Sequence, residues 1–462
     1  MRGCLLAAAL LAASCGHEPE ARPNVLLISI DTLRADHLRC YGYDLRTSPA
    51  IDALAARGVR FANNYSQSNQ TLPSHASLLT SLFPAEFQIT RDDGNNARQQ
   101  DTKLRLPDAV ETLAEVAAKS GYHTGAFTGG GLVAPRYGIG QGFETFEAAR
   151  SSADQGFDTS LPEFKRWLDD WKAKDDGAPF FAFVHSYDVH DPYHAPPPFD
   201  TAFTERRSED FLAQEGYMPT ALELRHNMAN PSPEQLDEIR HLYDNGIAYA
   251  DRGVGLLGLI LEESDAWDNT LVVLVSDHGE EFKEHGSWGH GPQLFDELLH
   301  VPLIVRFPHD QFAGRVVDQI VRSIDIAPTV AEVIDAPTGA AWKGVSLMEL
   351  LDGDGEDRPV LSELSNAQIG TTSLRSGDLK VIDVPAIGRE LLFDTAADAG
   401  ERIDLARSRP GALAELRDEL RRWRASLAAE SKALRAVPMG AEAQNLQELE
   451  AELLEKMGYV GD

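Results

Sequence analysis

The sequence predicts an α/β fold with a large doubly wound, mostly parallel sheet carrying helices on both faces. A small C-terminal antiparallel sheet with a helix is predicted to follow it. Continuous apolar runs of strand length recur along the chain, and helical stretches closed by glycine alternate with them. A carboxylate stands directly after one of the runs and an Asp-His pair directly after another.

The run Asn24–Ile30 is almost continuously apolar from Val25, with only Ser29 polar, and ends at Asp31, as expected of a parallel strand buried on both faces. Residues 49–58 read as a helix with a glycine stop. Residues 106–120 read as another, stopped by Gly121, and residues 122–128 as the strand after it. Residues 180–185 and 271–276 are two further buried strands. Residues 301–306 read as a strand near an edge, because Pro302 cannot donate to a ladder. In such a sheet functional groups gather at the carboxyl ends of the strands, where Asp31 and the pair Asp277-His278 fall. Residues of about 192–232 are rich in proline and charge and read as an insertion over the sheet, with the character of a lid. Short strand-like runs across 361–393, then a charged helix over 410–430, predict the small antiparallel sheet. Residues 441–455 read as a last amphipathic helix.

The first residues read as an export signal: Arg2, an apolar run over 4–13 and the small residues Ala12-Ala13-Ser14 ahead of Cys15. The run is far too short to span a bilayer. Small residues ending on a cysteine resemble the bacterial lipobox, with an ordinary secretory signal as the alternative. The expected organisation is a signal peptide over 1–14, a lipidated tether over 15–23, a main domain over 24–340, a C-terminal subdomain over 341–436 and a helical tail over 437–462. A lipid anchor on Cys15 would place the protein in the bacterial envelope, on the periplasmic side of the outer membrane. With Cys15 acylated only Cys40 remains beyond the signal, which leaves no disulfide framework and marks Cys40 as a packed thiol. With 462 residues, 43% of them hydrophobic and 25% charged, the chain has the composition of a globular protein with a large core. Its net charge of −31 argues against a nucleic-acid partner, which would need basic surface to displace counterions.

The chemistry centres on Gln70-Thr71-Leu72-Pro73-Ser74-His75-Ala76-Ser77-Leu78-Leu79-Thr80. Proline near a first helical turn with threonine just ahead of it fits a helix N-terminus. Thr71 is then either an N-cap or a hydroxyl at an anion-binding helix start. Three more elements bear on that choice. Ser29-Ile30-Asp31-Thr32 puts a carboxylate at a strand end, and His185-Ser186-Tyr187-Asp188-Val189-His190 follows another strand. Ser276-Asp277-His278-Gly279-Glu280 is followed by His285-Gly286 and Gly289-His290-Gly291. Singly, each histidine reads as a hydrogen-bonded strand-end residue. An Asp-His pair with a further histidine twelve positions on makes a good set of metal ligands.

The helix-start stretch resembles the sulfatase signature, Cys/Ser-x-Pro-Ser-Arg-x-x-Leu-x-Thr, with Thr71 in place of the residue oxidised to formylglycine and His75 in place of the arginine. With the other motifs, and with residues 299–305, 323–330 and 390–394, the chain resembles the sulfatase family of the alkaline phosphatase superfamily over about residues 24–405. Its departures are coherent. Ile30 replaces one carboxylate of a usual pair, His278 replaces asparagine, and Gly129-Gly130-Gly131-Leu132 lacks the lysine and histidine that would hold a sulfate. An oxygen cage suited to calcium has gained an imidazole, so zinc or manganese is expected rather than calcium. The resemblance then points to the threonine-dependent branches, in which a metal-bound threonine attacks phosphorus. It implies that Asp31, Thr71, Asp277 and His278 hold one metal, and that His190 and His290 bind a second metal or the phosphoryl oxygens. Thr71, His190 and His290 would be the catalytic residues. Asp188 is a weaker candidate beside them, His185 a residue behind the ligands, and His75 admits a plain packing or surface role. The expected function is a metal-dependent hydrolase or transferase of small anionic phosphate esters. The alternatives are a sulfuric ester hydrolase that works without formylglycine and a non-catalytic envelope binding protein that keeps the fold.

Overall fold

The computed structural model of the chain describes residues 21–87, 104–150, 155–205, 219–220, 223–224, 229–353, 355–364, 370–430 and 437–438. The signal, most of the tether, the middle of the proline-rich insertion and the helix expected over 441–455 lie outside the described residues.

Eight strands form the main sheet: β1 Asn24–Ile30, β2 Val59–Tyr65, β3 His123–Thr128, β4 Thr145–Ala148, β5 Phe180–Ser186, β6 Thr270–Val275, β7 Leu303–Arg306 and β8 Arg315–Arg322. Their order is β8-β2-β7-β6-β1-β5-β3-β4, and every neighbouring pair is parallel except the two made by β7. β1 is apolar at five of its seven positions, all seven buried, because it is covered twice. Val25 and Leu27 join the core beneath one face, while Leu26, Ile28 and Ile30 join the core beneath the other. The first face is covered by α2 Thr71–Thr80, α3 Leu113–Lys119 and α6 Ile326–Val333, the second by α1 Pro49–Arg57, α4 Phe157–Lys174 and α5 Pro233–Glu263. Burying a leucine-sized side chain contributes about 1.5–3 kcal/mol, so this double layer holds the central strand ends rigidly in place.

Two expectations need correction. The strand at 303–306 is interior and antiparallel, lying between β2 and β6. Pro302 does not block this because it precedes the strand and takes no part in its ladder. The helix expected over 106–120 is confined to Leu113–Lys119. It begins where Thr112 and Glu115 form a reciprocal capping box, and the stretch before it turns at Pro107.

The small sheet runs β9 Val360–Glu363, β10 Thr372–Ser376, β11 Leu379–Val384 and β12 Arg389–Asp394 in antiparallel sequence. It packs against α7, Pro410–Glu430, through Leu361, Leu374 and Leu392 on the sheet and Leu416 and Leu420 on the helix. Polar contacts join it to the main domain: Asp296 pairs with Arg375 at 2.7 Å and with buried Lys380 at 2.6 Å, and Lys380 also meets Glu401 at 2.9 Å. Among the described residues no helix is long and apolar enough to cross a membrane.

Candidate active site

Asp31 and Asp277-His278 extend two adjacent parallel strands, β1 and β6, so the ladder itself brings them side by side. One ligand atom from each of Asp31, Asp277 and His278 lies within 4.8 Å of the others, and all three residues are buried. The turn after β1 is tightly held. Thr32 adopts φ +55°, a left-handed conformation that β-branched residues rarely take. Tyr243 of α5 donates its hydroxyl to the Thr32 carbonyl at 2.7 Å and accepts from the Arg34 amide at 2.8 Å. The Thr32 amide in turn points at Asp277 Oδ1, 3.3 Å away, which also accepts from the His278 amide at 2.9 Å.

Both carboxyl oxygens of Asp31 and Oδ2 of Asp277 are buried with no hydrogen-bond donor. Burial, and then the neighbouring Asp277 carboxylate, push the Asp31 carboxyl well above the usual carboxylate range. The His278 Nδ1–H donates to the Gly279 carbonyl at 3.0 Å, which leaves Nε2 as a lone pair 3.3 Å from Thr71 Oγ and 3.4 Å from Asp277 Oδ2. Burial lowers the basicity of this imidazole, so it is held neutral. Ligand atoms gathered this closely from two carboxylates and an imidazole fit a divalent cation, which would offset the buried charge.

Thr71 enters this cluster from α2, whose ten residues are all buried. The N-cap is Gln70, with no side-chain capping bond, and Thr71 occupies the first helical position. Its hydroxyl therefore caps nothing and faces His278. His75, one turn on, is fully buried: Nδ1 contacts the Thr71 carbonyl at 2.8 Å and Nε2 meets Ser29 Oγ at 3.0 Å. It ties the start of α2 to β1 and is not a surface residue.

His185, at the end of β5, has Nδ1 facing the Gly129 amide at 3.4 Å and Nε2 3.6 Å from Asp31 Oδ2. It stands behind Asp31, as expected. His190 is buried, with Nδ1 against the Asp191 carbonyl. The His290 ring lies between the other two, 4.7 Å from His278 and 5.1 Å from His190 by ring centroid. The structure thus gathers Asp31, Thr71, Asp277, His278, His190 and His290 at one end of the sheet. It does not bring Asp188 among them. That carboxylate accepts from the Phe157 amide at 2.9 Å and Ser186 Oγ at 2.7 Å, fastening the start of α4, and burial pushes it up to about 6. At Gly129-Gly130-Gly131, which follows β3, the last two glycines take φ +73° and +57° and Tyr187 crowds the first. The missing lysine would fall at Gly130, where a Cβ would stand 2.3 Å from the Ala149 carbonyl oxygen in a backbone conformation that side chains disfavour, so it could not be restored there.

Two residues not singled out from the sequence join the cluster. Asn69 donates its amide to the Gly291 and Gln293 carbonyls at 2.7 and 2.8 Å, fastening the loop beyond His290 to the approach of α2. Glu280 is fully buried, with Oε1 3.2 Å from His290 Nδ1. Only its place after Asp277-His278-Gly279 could have drawn attention to it.

A doubly wound sheet whose strand ends collect carboxylates, imidazoles and a helix-start hydroxyl is the architecture on which α/β enzymes build their active sites. The sulfatase family model matches residues 23–336, and the chain belongs to the sulfatase family. It is 28% identical over 373 residues to the ulvan-active sulfatase of Formosa agariphila, covering 74% of this chain and 65% of that protein's length. It is 27% identical over 409 residues to the multifunctional alkaline phosphatase superfamily protein PehA of Trinickia caryophylli, covering 71% and 77% of the two chains. Among solved structures, a 2-O GAG sulfatase superposes with a TM-score of 0.71 at 21% identity, covering 92% of this chain and 96% of that one. The phosphonate monoester hydrolase of Agrobacterium radiobacter gives 0.67 at 23% identity, covering 89% and 96%.

Proposed function

We propose that this protein is a metal-dependent hydrolase or transferase of phosphate esters in which Thr71 is the nucleophile. The observation that carries the reading is the placement of the Thr71 hydroxyl, free of any capping duty and 3.3 Å from His278 Nε2, at the edge of an unsatisfied carboxylate pair. Asp31, Thr71, Asp277 and His278 would hold a divalent cation, zinc or manganese by the mixed oxygen and nitrogen donor set. When bound, the cation supplies positive charge that favours the threonine alkoxide and offsets charge developing on the ester.

The chain's own groups would do the rest. Thr71 Oγ attacks phosphorus in line with the departing alcohol, and the ester's remaining oxygens are received by His190 and His290. Of the first helical turn only the Thr71 and Leu72 amides could add donors at the same point, since Pro73 has no N–H and the Ser74 amide donates to the Gln70 carbonyl. His75 and Ser29 hold α2 against β1, so that the nucleophile does not move as charge shifts. Water, or a second alcohol, then releases the group from Thr71.

The names of the relatives favour a second reading, a sulfuric ester hydrolase: several are sulfatases, including the choline-sulfatase of Rhizobium meliloti at 25% identity over 448 residues. Against it, Thr71 cannot become an aldehyde hydrate, and Gly129-Gly130-Gly131 offers no cation for a sulfate. Assays of nitrophenyl phosphate monoesters and diesters beside nitrophenyl sulfate decide between them. Turnover of the sulfate alone, lost in Thr71→Ala, would overturn the phosphate reading. Export and a lipid anchor on Cys15 belong to the same proposal and would put the site on the periplasmic side of the outer membrane.

A further inference from the structure

The two-stranded hairpin formed by Glu281–Phe282 and Trp288–Gly289 pairs Glu281 with Gly289. Glu280 and His290 are the residues just outside that last pair, so the hairpin presents them to each other at its open end. Its turn is fastened independently: Glu281 Oε1 accepts from the His285 and Ser287 amides at 3.0 and 2.7 Å, and Arg34 holds Glu284 at 2.9 Å. Packing of Phe282 and Trp288 against each other and against Tyr193 fixes the hairpin to the domain.

Glu280 is a carboxylate at 0% exposure, and burying such a charge is costly unless a donor meets it. Its side-chain contact with His290 Nδ1, at 3.2 Å, supplies one. Gly289, with φ +71°, is part of the arrangement: a Cβ there would stand 3.3 Å from Glu280 Oε1, in a backbone conformation that side chains disfavour. The hairpin is therefore shaped to let the carboxylate approach the imidazole.

We infer that Glu280 is a positioning residue for His290. By accepting the Nδ1–H it fixes the ring's tautomer and rotation, and so the direction in which Nε2 is turned within the row formed with His278 and His190. The inference rests on the ester-hydrolase reading of the site, but the contact itself can be tested apart from it.

The test uses the full chain with isotope-labelled histidine, the His290 signal being identified by its loss in His290→Gln. The expected result is an Nδ1–H resonance protected from solvent exchange in the wild type and in Glu280→Gln, which keeps an acceptor, and lost in Glu280→Leu. On nitrophenyl phosphate esters, Glu280→Leu should lower kcat about 10- to 100-fold with KM little changed, and Glu280→Gln should recover most of the loss. Gly289→Ala, which keeps both functional groups but pushes a methyl against Glu280 Oε1, should fall between them. A wild type without a protected Nδ1–H, Leu and Gln variants equally impaired, or a change in KM with kcat retained would each overturn the inference. If the wild type turns over no ester at all, the function reading fails, while the resonance still decides the Glu280–His290 contact.

Discussion

Thr71 Oγ sits 3.3 Å from His278 Nε2, and that imidazole's other nitrogen is committed to the Gly279 carbonyl at 3.0 Å. The hydroxyl thus faces a lone pair rather than a backbone amide, which separates a nucleophile from an N-cap. Thr71→Ala should lower kcat on the preferred ester by on the order of 10³-fold or more. Because no capping bond is lost, its melting temperature should stay close to that of the wild type. Thr71→Ser, which keeps the oxygen, should retain measurable turnover. A capping role would give the opposite pattern: lowered stability in the alanine variant with activity preserved. Steady-state kinetics and thermal melts on the three proteins decide it.

Asp31 and Asp277 set two carboxylates side by side, three of whose oxygens are buried without a donor. Without a cation this arrangement opposes folding. Chelation should therefore lower the melting temperature, and zinc or manganese should restore it more effectively than calcium. Asp31→Asn should act with opposite sign in the two states. Stripped of metal, the variant should be more stable than the wild type by at least about 1 kcal/mol, the equivalent of a single pKa unit. With metal added it should gain little. Calorimetric melts with and without zinc check both arms, and a variant destabilised equally in both would remove the metal reading.

What was legible in the sequence follows from how each residue is buried. β1 announced itself because both its faces are covered, making all but Asn24 and Ser29 apolar up to Asp31. β2, Val-Arg-Phe-Ala-Asn-Asn-Tyr, and β8 at the sheet's edge carry polar residues in partly exposed positions and gave no such run. The strand-end carboxylates and histidines were readable because short motifs keep chemical groups beside the strand that positions them. Glu280 and Asn69 were not, since their partners are met only through a hairpin closure and a contact between residues more than two hundred positions apart. Asp188 misled for the same reason: it lies between His185 and His190, yet its carboxylate turns away to the amide of Phe157.

Cys15 follows Ala12-Ala13-Ser14 at the end of a short apolar run, and the described chain enters β1 only nine residues later, at Asn24. If Cys15 is acylated, the full-length protein expressed in a bacterium with lipoprotein processing should partition into the detergent phase and incorporate labelled fatty acid. Cys15→Ser should abolish both while leaving ester turnover by the extracted protein unchanged. A dual-chain anchor is strong enough to make this close to all-or-none. Full solubility of the unmodified protein would instead favour an ordinary cleaved signal.

Glu363 ends β9 with its carboxylate buried, accepting the Ala85 amide at 2.9 Å. Burial pushes its pKa from 4.5 to about 7, against the pull of that amide and of Arg424. The native state therefore binds more protons than the unfolded chain between those two values. Stability from this group is fully present below the unfolded pKa and is lost as pH rises towards the folded one. Glu363→Gln keeps an acceptor for Ala85 but carries no proton to lose. The variant and the wild type should have nearly equal stability at about pH 4, and the variant should be the more stable by on the order of 1 kcal/mol at about pH 8. Glu281 and Glu401 are also pushed up to about 7, so the wild-type curve alone mixes several groups. The difference between the two proteins isolates Glu363. Denaturant unfolding across that range checks it: a difference independent of pH would mean that the carboxylate relaxes into solvent or stays ionised throughout.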